Sequence, residues 1–209
     1  MKNYRLLFGP LAAVIFLCGV AGLAAQLPGY SHVHQTVSEI GEMDSPLRVA
    51  FALTLFAVAA CIFVFALGLR ELSVQAARSP LAAYLIGSMT ISILGVAYFA
   101  SPHPLHNVFG LSEIIGYQAP LAFAITWRRD SHAKRLVAFS WVAFVVVWAA
   151  ILANLSSLDP EGAVWAHVRP VIGIAQRALF GAWFGWVAVL GWALYQRSGA
   201  TVPNAAARS

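Results

Sequence analysis

Hydrophobic positions along this chain arrive in nearly unbroken blocks of about 20 residues, the length a helix needs to cross about 30 Å of hydrocarbon, and short polar connections separate them. The blocks predict spans at residues 6–27, 48–70, 81–100, 107–127, 136–155 and 171–195, all within one membrane domain over 1–195. The expected fold class is all-α, a polytopic transmembrane helical bundle of six spans. Ser45-Pro46 and Ser79-Pro80 each place a hydroxyl ahead of a proline, the chemistry of a helix start, and Pro170 opens the last block in the same way. Residues 196–209, rich in alanine and polar residues, are expected to form a disordered cytoplasmic tail.

Charge supplies the orientation. Lys2, Arg5, Arg70, Arg78, Arg128, Arg129, Lys134, Arg135, Arg197 and Arg208 fall on one side of the predicted bundle, and only Arg48 and Arg169 on the other. The positive-inside rule then places both termini in the cytoplasm (N-in/C-in), in a cell (inner) membrane. Tyr4, Trp127, Trp192 and Tyr195 at one edge and Tyr30, Tyr98 and Trp165 at the other fit the interfacial preference of amphipathic rings. The first block, with Lys2 and Arg5 ahead of it and Gly22-Leu23-Ala24 near its end, has features of a signal peptide; its apolar run is long, so a retained anchor is expected.

Composition agrees. Hydrophobic residues make up 60% of the chain and charged ones 10%, which excludes an ordinary water-soluble fold. The net charge of +5 is scattered over short loops without an aromatic-basic pattern, so no nucleic-acid partner is expected; the partner is the lipid bilayer. Cys18 and Cys61 lie inside different blocks at different depths and read as packing residues. Ser88, Thr90 and Ser92, with Gly181 and Gly185, read as positions where helices approach closely.

Candidate chemistry gathers on the predicted extracytoplasmic side. His32, His34, His103, His106 and His167 fall there with Glu39, Glu42, Asp44, Asp159, Glu161 and Arg169, whereas the cytoplasmic connections hold only His132. In the first connection Thr36 and Glu39 have capping-box spacing, predicting a short helix ending near Gly41 with Ser38 or Glu39 turned toward the bundle. In the second, His103 and His106 stand three apart and could ligate Zn or another divalent metal, with His167 or Glu42 as a third ligand, or act as acid-base groups or helix caps. A loop that is polar only because loops are polar accounts for each histidine singly, though less well for their one-sidedness.

Glu113 and Arg177 are the costly residues inside the blocks, because ionisable groups at membrane depth tend to face the bundle interior with a partner. Each lies about 9 Å below the predicted outer end of its span, at about 1.5 Å per residue. They are expected to pair or to share a hydrogen-bonded network with Gln176, Tyr117 and Gln118, beside a kink at Pro120. Such a pair could equally specify packing alone.

The run Tyr30-Ser31, Thr36-Val37-Ser38-Glu39-Ile40-Gly41 and Ser45-Pro46, followed by His106 and Gln176-Arg177, resembles a prokaryotic integral membrane family catalogued as domain of unknown function 998. The resemblance covers about Leu6 to Tyr195. Members of that family often carry an acidic residue shortly before the histidine, where this chain has Ser101-Pro102. The Ser-Glu-x-Gly turn is also distantly similar to the Frag/DRAM six-span group, some of whose members are tied to lipid remodelling.

Three functions compete. The first is an enzyme on a lipid or lipid-linked substrate, with His103, His106, Glu113 and Arg177 as catalytic groups, Ser38, Glu39, Tyr117 and Gln176 binding substrate, and His103, His106 and His167 holding a metal. The second is a small transporter or lipid-binding protein built on Glu113 and Arg177. The third is a non-catalytic assembly subunit.

Overall fold

The structure, a computed structural model, describes residues 2–198. The regular structure among these residues is all helical, with no strand: α1 (Phe8–Ala24), α2 (Arg48–Gln75), α3 (Leu81–Tyr98), α4 (Pro104–Gly116), α5 (Ala119–Thr126), α6 (Lys134–Leu155), α7 (Ala163–Val168) and α8 (Ile172–Ser198). Six helical stretches are long and apolar enough to cross a membrane, α4 and α5 together forming the fourth. Successive spans pack side by side from α1 round to α6, and α8 packs on both α6 and α1, so the bundle closes into a ring. The connections following α1, α3 and α6 meet at one end, where the Met43 amide donates to the Ser101 carbonyl (2.8 Å) and His34 Nδ1 to the Pro170 carbonyl (2.6 Å). At the opposite end Asn3 donates to Ser198 Oγ and to Gly68 and Glu71 of α2, and Arg5 pairs with Glu71 at 3.3 Å.

The Ser-Pro pairs stand one step further out than expected: α2 begins at Arg48 with Leu47 as its cap and α3 at Leu81 with Pro80 as its cap, neither cap residue making a side-chain bond to the helix. Ser45 Oγ accepts from the Leu47 amide and Ser79 Oγ from the Leu81 amide, so each hydroxyl satisfies an amide at the entry of its helix across the intervening proline. Pro170 sits in a short 3-10 turn, Arg169–Val171, that leads into α8. The last helix continues to Ser198, so residues 196–198 of the expected tail are helical, and the remainder of that tail lies outside the described residues.

The interior is aromatic. Trp183, Trp186, Phe65 and Phe123 are fully buried. Burying an indole N–H without an acceptor costs about 1–3 kcal/mol, and the two buried tryptophans of α8, Trp183 and Trp186, each find one. Trp186 Nε1 donates to Ser140 Oγ of α6 at 2.8 Å, and Ser140 passes its own proton to the Leu136 carbonyl. Large apolar side chains such as Leu53, Ile91, Val142 and Leu152 point outward, the surface that lipid covers in a membrane protein.

The expected close-approach positions need correcting. Nothing lies within 4 Å of where a side chain would begin at Gly181 or Gly185; the glycines of α8 that touch another backbone are Gly191, against the Leu6 carbonyl, and Gly173, against the first connection. Of the hydroxyls of α3, Ser92 bonds across to Ser112 of α4 (2.7 Å), while Ser88 bonds within its own helix.

Candidate functional site

The first connection is stapled to the start of α8. Arg177 Nη1 donates to the carbonyls of His32 (2.9 Å), Gln35 (2.8 Å) and Gly173 (2.9 Å), and Nη2 donates to Tyr30 Oη (2.6 Å). Tyr30 in turn donates to the Thr36 carbonyl (2.6 Å), and the guanidinium lies 5.5 Å from the centre of its ring. Burial pushes the Tyr30 phenol above its ordinary value of 10, against the opposing pull of Arg177. One turn earlier, the Gly173 amide donates to the Val33 carbonyl (3.0 Å), and a side chain at Gly173 would collide with the carbonyls of His32, Val33 and Gln35. The Val37 amide donates to Gln176 Oε1.

Inside the connection half of the predicted capping box forms: the Glu39 carboxylate reaches back to Thr36, while the turn itself is capped by Val37. Glu39 Oε1 accepts from the Thr36 amide (2.8 Å) and hydroxyl (2.9 Å), and Oε2 accepts from Gln35 Nε2 (3.0 Å), which shapes the 3-10 turn Ser38–Gly41. The connection is therefore a rigid roof, fixed internally by Glu39 and externally by α8.

Beneath it the fourth span breaks. Pro120 has no N–H for the Gly116 carbonyl four residues earlier, and α4 ends at Gly116 while α5 begins at Ala119. Trp183 Nε1 of α8 donates to that carbonyl instead, at 3.3 Å. Gln118, in the break, donates to the Ile114 carbonyl (2.9 Å) and accepts from Trp148 Nε1 of α6 (3.3 Å). The break divides the packing of the span: α5 lies against α3 and α6, whereas α4 lies chiefly against α3.

Between α4 on one side and α6 and α8 on the other, a cleft of about 780 Å³ is left open. Leu111, Ile114, Ile151, Leu155, Leu179 and Phe180 line its apolar part. Ser38, Glu39, His106, Glu113, Tyr117 and Gln176, all singled out from the sequence, line its polar part. A smaller pocket of about 40 Å³ adjoins it between α2, α3, α4 and α8, and Ser38, Glu113 and Tyr117 line both. A void of that size takes on the order of one to three waters.

Two expectations are corrected. Glu113 and Arg177 do not pair: Glu113 Oε2 accepts from Tyr117 Oη (2.7 Å), while Arg177 turns to loop carbonyls and lines neither cavity. The three-histidine metal site is not assembled. His103 Nδ1 accepts from the Leu105 amide as the N-cap of α4, His106 Nδ1 bonds the Phe99 carbonyl (2.8 Å), and exposed His167 bonds its own helix at Ala163. No group of three or more His, Cys, Asp or Glu among the described residues is placed to hold a metal ion.

Asn154, in the last turn of α6, also lines the cleft and was not singled out from the sequence. An amide at the end of an otherwise apolar block was the available signal.

A ring of six membrane-length helices with a polar-lined cleft at one end is the architecture of a polytopic integral membrane protein. The family model described as "Protein of unknown function (DUF998)" matches residues 10–193, and the chain belongs to that family. No curated protein and no solved structure matches it.

Proposed function

We propose that this protein binds one amphiphilic molecule, a lipid or lipid-linked species, in the cleft between α4 and α6/α8. The observation that carries the reading is the cleft's division into an aliphatic wall and a polar end beneath the roof, where α4 stands apart from α6 and meets α8 chiefly at the Trp183–Gly116 bond. Ligand sites combine apolar walls with a few placed polar groups, and a gap between two spans is reachable from lipid. Arg70, Arg78, Arg128, Arg129, Lys134 and Arg135 lie at the opposite end, so in the proposed orientation that end is cytoplasmic and the cleft opens toward the outer leaflet of the cell membrane.

The test fills the aliphatic wall. Ile114→Trp and Leu155→Trp place bulk in the cleft, and lipid recovered with the purified protein, measured by mass spectrometry, is expected to fall at least about tenfold while thermal stability changes little. Unchanged lipid in both variants would overturn the reading.

One observation favours chemistry at the same place. The Phe99 carbonyl accepts from His106 Nδ1, which fixes the proton there and leaves Nε2 as the basic nitrogen of a residue lining the cleft. His106 is thus the group for acid-base work on a bound lipid, and His106→Ala is expected to leave lipid binding intact while changing the lipid composition of cells that produce the protein. Unaltered composition leaves the binding role alone.

A further inference from the structure

Resting on the cleft as the amphiphile site, we propose that the polar end it receives carries a primary ammonium, met by Glu113 at the junction of the cleft and the inner pocket. Glu113 belongs to the fourth span, and one of its oxygens accepts from Tyr117 Oη at 2.7 Å; the other has no donor among the described residues. No basic side chain balances it, for the ion pair of the described residues is Arg5 with Glu71 at the far end of the bundle. Arg177, the nearest candidate along the sequence pattern, turns Nη1 and Nη2 to the roof and to Gly173 of its own helix and lines neither cavity. A carboxylate at that depth is expensive unless something neutralises it, and a ligand that brings its own cation does so.

The surrounding chemistry favours a donor over an acceptor. An ammonium offers three N–H donors and no acceptor. Ser38, whose hydroxyl has no hydrogen-bond partner among the described residues, lines both cavities with Glu113 and Tyr117 and supplies a second acceptor. An anionic end would instead face a carboxylate with no cation beside it. Arg169, His34 and His106 do line the wider cleft, yet none of them lines the inner pocket.

Three probes sharing one chain isolate the polar end: dodecylamine, dodecanol and dodecyl phosphate, titrated into the full-length protein in a neutral detergent. Dodecylamine is expected to bind tightest and dodecyl phosphate weakest. Glu113→Gln is expected to weaken dodecylamine at least about tenfold, the lower end of couplings between close charges at an interface, and to leave dodecanol unchanged. Dodecyl phosphate binding as tightly as dodecylamine, or dodecylamine indifferent to Glu113→Gln, would overturn the inference. The probe ranking on the unaltered protein decides it even where the variant does not fold. Failure of the cleft itself reads differently: all three probes would then bind the Ile114→Trp variant as well as the original.

Discussion

At the residue scale, Arg177 illustrates a cation inside an apolar block held chiefly by main-chain carbonyls, three of them at Nη1, with its Nε–H left buried and unpartnered. The sequence marks it as needing a partner, and an acidic residue is the natural expectation. Two of its acceptors are carbonyls of His32 and Gln35, more than a hundred residues away, and because every residue carries a carbonyl no side-chain pattern could have flagged them. Hydrogen bonds to charged groups contribute about 1.5–3 kcal/mol each, with losses that do not simply add. Arg177→Gln is therefore expected to destabilise the protein by roughly 2–4 kcal/mol and to expose the first connection to protease, read by thermal unfolding and limited digestion. Arg177→Ala with full stability and an intact connection would contradict the clamp.

Tyr30 completes the clamp and gives it a pH dependence. Its phenol is raised above 10 in the folded protein by burial, so the neutral form is the one folding favours. Its contribution is fully present below the unfolded value of 10 and is lost as pH rises through the higher folded value. Tyrosinate absorbance, compared between the original protein and Tyr30→Phe, should show this phenol ionising later than an ordinary one. Earlier ionisation would mean that Arg177 outweighs burial. The histidine pair teaches a related lesson: spacing of three suggests one helical face, but α4 starts at Pro104, so His103 lies outside the helix as its cap and only His106 reaches the cleft.

At the element scale, the fourth span carries the architecture. Pro120 predicts a kink from sequence, and the break at Tyr117-Gln118 agrees. The part that was not legible is Trp183 taking the vacated carbonyl, because that depends on how α8 packs against α4 rather than on either sequence alone. Trp183→Phe is expected to cost about 1–3 kcal/mol by orphaning the Gly116 carbonyl. Pro120→Ala restores an N–H to the helix, so in the double variant the loss should shrink, and a thermal-unfolding cycle over the four proteins measures the coupling. Additive losses would mean that the indole bond and the proline break are independent. If the break is what holds the cleft open, Pro120→Ala alone should also reduce lipid recovered with the protein.

At the scale of the whole molecule, most of the fold was legible because membrane-length apolar blocks leave little freedom: all six predicted spans have a counterpart, with ends shifted by a few residues. The cleft was legible in its polar residues, since Ser38, Glu39, His106, Glu113, Tyr117 and Gln176 all reach it. Which basic residue faces which acidic one was not, because helix rotation is set by packing on neighbours that the blocks do not encode. Orientation is tested with a cysteine-free background, Cys18→Ala with Cys61→Ala, carrying either Ser157→Cys or Arg129→Cys. A membrane-impermeant maleimide added to intact cells is expected to label the first and spare the second; the reverse pattern would invert the bundle.

The staple between the first connection and α8 also sets an order of events in biosynthesis. The segment from Tyr30 to Val37 leaves the ribosome early, yet Gly173, Gln176 and Arg177, which hold it, are made near the end. Until α8 enters the membrane, the nascent chain has five spans without a fixed roof and a ring open between α6 and α1. On the proposed reading of the cleft, a chain stopped before Pro170 should still integrate those spans while retaining no amphiphile, so that completion of synthesis would switch the site on.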